Sequence, residues 1–512
     1  MPGKTFRVPP ARCLTLALLF FTAIGGARAQ TPAPPAHEHA ARATASPPTQ
    51  TATAPERPPP DATTHHTLEL PGRTLHFTAT AGSIALRDDN GTPQANVAFI
   101  AYQLDGADKR SRPVTFVFNG GPGMASGWLQ VGAIGPWRVV LRGDQGQPAT
   151  PPEPIPNADT WLDFTDLVFI DPPGTGYSLI PGGDEARKRL WSVGGDISAL
   201  GETIRRWIDR NDRSVSPHFL LGESYGGFRA PRIARNLQSV QGVGVAGMVL
   251  LSPLLDSQIM SGGTDPFTWV DRLPSEVAAA RALHGPVTRT SVADAEQYAA
   301  TDYLTDILRG ERDTAALDRL ATRVAALTGL DPALVRRYHG RLDNNVFLHE
   351  LQRTQGRVGS VYDATIANPD PFPHEALSRY PDPVLEGFKA PVTSAMVAIY
   401  NDKLNWRPEQ TYHLSNDTAA ERWDWGHGLG RPESISALRA AMSVDPRMHV
   451  LIAHGLFDLV TPYFANELIL RALPDGEADR VRLAVYPGGH MFYSQDASRA
   501  ALHRDAQAVF AN

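Results

Sequence analysis

The chain has 512 residues, 42% of them hydrophobic and 20% charged, with a formal net charge of −6 at pH 7. That balance excludes a wholly disordered chain, a collagen and a coiled coil, and with no basic excess to neutralise phosphates, no nucleic-acid partner is expected. The length allows about two to four domains, or one large α/β domain carrying an insertion.

Residues 1–29 read as a secretory signal. Lys4, Arg7 and Arg12 make a basic start, Leu14 to Ile24 a short apolar core, and Ala27-Arg28-Ala29 a small-x-small cleavage pattern. No arginine pair precedes the core, which favours the general export route over the twin-arginine one. A single membrane anchor is the other reading, and the shortness of the core disfavours it. No other apolar run approaches the ~20 residues of a span, so none is expected after signal cleavage. The expected location is periplasmic or secreted. Cys13, the single cysteine, lies inside the signal, which excludes a disulfide framework and a cysteine-ligated metal. Residues 30–66 are dominated by Pro, Ala and Thr and are expected to be an extended linker. Its His37, His39, His65 and His66 read as solvated residues rather than metal ligands.

From 67 to 103 the pattern is of short alternating strands, with Asp88-Asp89-Asn90-Gly91 as a hairpin turn. A calcium loop would need ligand spacing that is absent there. Short apolar segments then follow at 114–118, 167–170, 219–221, 248–251, 450–453 and 483–486. A helical face is formed between the second and third by Ile197, Leu200, Ile204, Trp207 and Ile208, and a last helix is expected over about 498–510. Strand–helix alternation predicts a mostly parallel sheet with helices on both faces. On this reading 67–255 and 396–512 are the two parts of one core, and 256–395 is a largely helical inserted cap. Within the cap a helix over 313–328 is capped by Asp313 and carries Leu317, Leu320, Val324 and Leu327 on one face; Asp331-Pro332 begins another.

Gly222-Glu223-Ser224-Tyr225-Gly226 fits G-x-S-x-G between a strand and a helix. That context exposes a serine Oγ at the carboxyl end of a sheet. A serine nucleophile needs a base, and the base an orienting acid. Asp458 and His490 each follow a predicted strand, in the chain order Ser, Asp, His. Phe118-Asn119-Gly120-Gly121-Pro122-Gly123 follows another strand. No Gly-Lys-Ser/Thr comes after it, so the loop suits an oxyanion hole better than a nucleotide phosphate.

These blocks, together with Asp171-Pro172-Pro173-Gly174-Thr175-Gly176-Tyr177-Ser178, Gly455 to Asp458 with Pro462, and Gly488-Gly489-His490-Met491, span about 115 to 495. In them the chain resembles the serine carboxypeptidase family, peptidase family S10, particularly its bacterial branch. The resemblance implies an α/β-hydrolase fold with an inserted cap, no cofactor and no metal, and release of C-terminal amino acids from peptides with a free C-terminus. By position it implies a triad of Ser224, Asp458 and His490, and oxyanion N–H groups from Gly121 and Tyr225. Asn119, the Gly120 N–H and Glu223 would hold the substrate carboxylate. A glutamate can do so only while protonated; the plainer reading of Glu223 is a helix N-terminal acid. The chain departs from eukaryotic members at Met124, where they have a cysteine, and at Ala133, where they have a second glutamate. Two rivals stay open: an esterase or acyltransferase on the same triad, and a non-catalytic binding protein with this fold. Side-chain preference and oligomeric state are not set by the sequence.

If the signal is read correctly, the mature chain begins near Gln30 and contains no cysteine. N-terminal sequencing and thiol titration check this; one thiol per mature chain would place the cleavage elsewhere.

Overall fold

The computed structural model describes residues 57–141, 152–260, 263, 265–377, 379–427 and 430–511. The predicted signal and the linker as far as residue 56 lie outside them. Among the described residues no helix is long and apolar enough to cross a membrane.

Nine strands form one sheet: β1 (Ala62–Leu70), β2 (Arg73–Arg87), β3 (Pro93–Leu104), β4 (Val114–Phe118), β5 (Asp166–Ile170), β6 (His218–Glu223), β7 (Gly247–Leu251), β8 (His449–Gly455) and β9 (Val481–Tyr486). Their order is β1-β2-β3-β5-β4-β6-β7-β8-β9. The pairings β1/β2, β2/β3 and β3/β5 are antiparallel, and the rest are parallel. The predicted turn joins β2 to β3: Asp88 Oδ1 accepts from the amides of Asn90 at 3.0 Å and Thr92 at 2.9 Å, while Gly91 takes φ 79°.

The first strand corrects the expected linker. Residues 62–66 belong to β1, paired with β2 from Ala62 opposite Ala81 onward. The His66 ring stacks on Phe77 at 5.3 Å and meets the edge of Trp137 at 5.0 Å. Thr and His look like solvated linker by composition, but here they alternate between a half-buried and an exposed face.

The parallel strands are buried on both sides, and alternate residues enter two separate cores. Phe116, Leu220, Leu250 and Ile452 pack with α1 (Val193–Arg210), α2 (Tyr225–Asn236) and α6 (Ile435–Val444). Val117, Leu221, Val249 and Leu451 pack on the other face with α5 (Pro383–Ala398), α7 (Asp496–Phe510) and the turn around Trp128 and Val131. In α1 the expected residues Ile197, Leu200, Ile204, Trp207 and Ile208 are the buried ones, and the Ser192 side chain accepts from the Gly195 amide at 3.1 Å. This is the α/β-hydrolase architecture.

Between β7 and β8 the chain leaves the sheet. The first stretch, with α3 (Phe267–Ala282) and α4 (Thr314–Thr328), has its own apolar core, which closes on Leu456, Phe457 and Leu459. Asp313 caps α4 through the Ala316 amide at 3.0 Å, and Asp331 caps the helix Pro332–Arg337. The expected boundary at 395/396 is corrected: α5 runs through it, and Val384, Phe388, Val392 and Ala395 pack against the sheet-side core. Helical periodicity shows that α5 has an apolar face, but it does not show what that face meets.

At the opposite end of the sheet from the strands' carboxyl ends, Asp166 joins three segments. It accepts from Arg112 Nε at 2.6 Å, from the Leu104 amide at 3.0 Å and from the buried Arg213 guanidinium. Asp166→Ala leaves that guanidinium buried without its counter-charge, which is expected to lower stability by about 3–5 kcal/mol. Denaturant titration checks it; a loss under about 1 kcal/mol contradicts the buried pairing.

Candidate active site

The predicted site residues converge at the carboxyl ends of β4, β6, β8 and β9. Ser224 forms the turn between β6 and α2 with φ 59° and ψ −122°. A non-glycine residue is held there only by its surroundings, at a cost of about 1–3 kcal/mol. A Cβ at Gly222 would collide with the carbonyl of Gly226, and one at Gly120 would lie 2.6 Å from the Glu223 carbonyl and also strike the Tyr225 amide. The glycines thus let the loop after β4 lie directly against the turn. Among the described residues the amides of Gly121 and Tyr225 have no hydrogen-bond acceptor. They are available as donors to an oxygen that gains charge in a reaction.

His490 Nδ1 is 2.8 Å from Asp458 Oδ2, and both side chains are buried. Asp458 Oδ1 accepts from the amides of Val460 at 2.8 Å and Thr461 at 3.1 Å. The Thr461 hydroxyl lies 3.0 Å from Asp458 Oδ2 and donates to the Ser252 carbonyl at 2.9 Å. Ser252 Oγ in turn donates to the His490 carbonyl at 2.9 Å. This lattice holds the acid and the imidazole in register. Burial opposes a charged His490, but the Asp458 carboxylate, its hydrogen bond and the Glu223 charge outweigh it and raise the imidazole pKa. Nearby His454 is pushed down to about 4 by burial and stays neutral. Among the described residues no hydrogen bond joins Ser224 Oγ to His490, though both line one cavity; such contacts are often long in an empty site and tighten with substrate.

That cavity, of about 180 Å³, is also lined by Asn119, Gly120, Gly121, Glu223, Met124 and Trp128. Glu223 is buried, and burial raises its pKa to about 7 against the opposing pull of His490 and of its hydrogen bonds from Tyr493 and Asn119. Asn119 Nδ2 donates to Oε2 and Tyr493 Oη to Oε1, the latter at 2.8 Å. Asn119 is itself held: its Oδ1 accepts from the Leu129 amide at 3.1 Å, and its carbonyl accepts from Arg229, which is paired with buried Asp196 at 2.7 Å. Ala133 is fully buried and offers only its carbonyl, to Asn157 Nδ2 at 2.9 Å. Among the described residues no cluster of three or more His, Cys, Asp or Glu side chains is placed to hold a metal ion.

The structure therefore brings Asn119, Gly120, Gly121, Glu223, Ser224 and His490 around one cavity, with Asp458 behind the imidazole and Tyr225 contributing its amide. Sequence reasoning missed Ser252, Thr461, Tyr493, Arg229 and Asp196. Of these only Tyr493 and Thr461 carried a local signal, each lying three residues after a predicted triad member.

Residues 71–308 match the family model for serine carboxypeptidases. A pheromone-processing carboxypeptidase of Yarrowia lipolytica is 32% identical over 150 residues, 28% of this chain and 22% of that protein. A retinoid-inducible serine carboxypeptidase of Mus musculus is 30% identical over 128 residues, 24% of this chain and 25% of that protein. The matched stretch thus spans a quarter or less of these curated relatives. The crystal structure of a prohormone-processing carboxypeptidase from Saccharomyces cerevisiae superposes with a TM-score of 0.52 at 16% identity, covering 85% of this chain and 91% of that one, which is a likeness of fold. Residues 71–308, somewhat under half of the chain, thus carry the likeness to serine carboxypeptidases, on an α/β-hydrolase fold.

Proposed function

We propose that this chain is an exported serine-type hydrolase that releases C-terminal amino acids from peptides. The observation that carries the reading is a buried glutamate adjoining the nucleophile, with a pKa near 7 and an asparagine on one of its oxygens. Protonated Glu223, with Asn119 and the Gly120 N–H, suits a terminal carboxylate, and an ionised Glu223 repels one. Ser224 attacks the scissile carbonyl while His490 takes its proton, and the Gly121 and Tyr225 amides receive the oxyanion. His490 then protonates the departing amino acid, and water hydrolyses the acyl-enzyme. Asp458 fixes the imidazole tautomer. The cavity walls formed by Met124, Trp128, Leu385 and Met491 favour apolar side chains beside the scissile bond. Residues 1–29 support export.

The first test is the nucleophile. Ser224→Ala is expected to lower kcat/KM by about 10⁴–10⁶-fold, since removing one triad member disables the unit. It should not lower stability. Near-normal turnover by purified Ser224→Ala protein would end the assignment.

The second is pH. His490 must be neutral, so activity falls as pH drops through its raised pKa. Glu223 must be protonated for a free carboxylate, so peptidase activity falls as pH rises through about 7. The two groups titrate in one range and bias each other, so the competent form is one tautomer of the singly protonated pair and the bell is narrow. Glu223→Gln removes the alkaline limb for free peptides only. It moves the acid limb downward for every substrate, because the Glu223 charge no longer supports His490 protonation. The assay is kcat/KM across pH for a free peptide and a C-terminally blocked ester. An alkaline limb that responds alike for both makes esterase chemistry the better reading.

A further inference from the structure

We propose that Tyr493 is the positioning residue that orients the Glu223 carboxyl group and sets the pH at which it gives up its proton. The inference rests on Glu223 receiving the substrate carboxylate, as proposed above.

The geometry carries it. Tyr493 lies in the short turn Phe492–Ser494, just after His490, and is fully buried. Its ring packs against the turn around Trp128 and Val131, with Cε2 3.2 Å from where a Cβ of Gly132 would stand. Its hydroxyl donates to Glu223 Oε1 at 2.8 Å, and it does not line the cavity. It therefore reaches a substrate only through Glu223. Tyr493 and Asn119 thus each hold one Glu223 oxygen, which fixes the plane of the carboxyl group. While protonated, the carboxyl group so held can donate to a substrate carboxylate. Tyr493 keeps its own proton throughout, because burial and the neighbouring Glu223 charge raise the phenol pKa well above its usual value. The hydroxyl thus remains a donor across the working range.

The same contact sets where the proton is lost. A phenol donor favours the carboxylate over the acid, so Tyr493 opposes the burial that raises the Glu223 pKa. The other groups acting on Glu223 are His490 and Asp458, of opposite sign, with Tyr362 close by. Arg229 and Asp196 flank Asn119 but are paired with each other. Removing the phenol donor leaves those charges in place. Glu223 then holds its proton to higher pH, and peptides with a free carboxylate are cleaved further into the alkaline range.

The test is Tyr493→Phe, assayed as kcat/KM across pH on a free peptide and on its C-terminally blocked ester, with thermal unfolding as a check on folding. The alkaline limb for the free peptide is expected to move upward by about one pH unit, the scale of one hydrogen bond to a charged group. No alkaline limb should appear for the ester. A second chain with 3,5-difluorotyrosine at position 493 has a stronger donor and should move the limb downward. An unmoved free-peptide limb in both chains, or a change shared equally by the two substrates, overturns the role of Tyr493. If Tyr493→Phe folds poorly, the fluorinated chain decides alone. Failure of the underlying reading is seen separately: there Glu223→Gln leaves the alkaline limb for free peptides in place.

Discussion

The site depends on one backbone constraint, the left-handed turn at Ser224. A side chain held at φ 59° between β6 and α2 stays there only because its neighbours leave no alternative. The Ser224 amide donates to the Leu251 carbonyl at 2.9 Å, and the Ser224 carbonyl accepts from Gly227 at 2.9 Å. The loop after β4 then presses on the turn where Gly120 has no side chain to hold it away. That contact sets the Gly121 and Tyr225 amides beside Ser224. It also brings Asn119 against Glu223. The strain at one residue is therefore offset by packing that also assembles the rest of the cavity.

The second organising feature is electrostatic. Glu223 and His490 titrate inside one buried neighbourhood and bias each other, and the Asp458 charge acts on both. His490 is held by Asp458 through geometry, and by Glu223 through charge alone. Glu223 is more plastic, because burial raises its pKa while Asn119 and Tyr493 lower it. A carboxyl group poised near 7 by opposing effects can serve as a proton-bearing ligand near neutrality, without a second carboxylate beside it. Buried Ala133 is compatible with that arrangement, since the polar partner arrives from the turn after His490 instead.

The helical segment between β7 and β8 contributes in a different way. Its core includes Leu456 and Phe457 from the loop that carries Asp458. The Ala364 amide donates to the Phe457 carbonyl at 3.1 Å, and the Leu459 amide to the Val361 carbonyl at 3.0 Å. Packing of the inserted helices therefore supports Asp458, while α5 supports the opposite wall of the cavity through Leu385. The insertion is part of the scaffold of the site, which explains why its boundary with the core is not a clean cut in sequence.

The sequence by itself determined the buried strands β4 to β9, the hairpin at Asp88–Gly91, the cap of α4 and the identity of Ser224, Asp458 and His490 as candidates. These are local properties: period-two and buried-strand patterns, side chains that bond their own backbone, and a serine between glycines at a strand end. Only the tertiary structure decided what meets across the chain. It placed β1 on the sheet although Thr and His resemble linker, because a half-buried face needs a partner strand to be recognised. It took α5 into the sheet-side core, because an amphipathic helix does not name the surface it covers. It put Tyr493 and Asn119 on the two oxygens of Glu223, because hydrogen bonds spanning 270 and 104 residues leave no periodic or local mark in a single sequence.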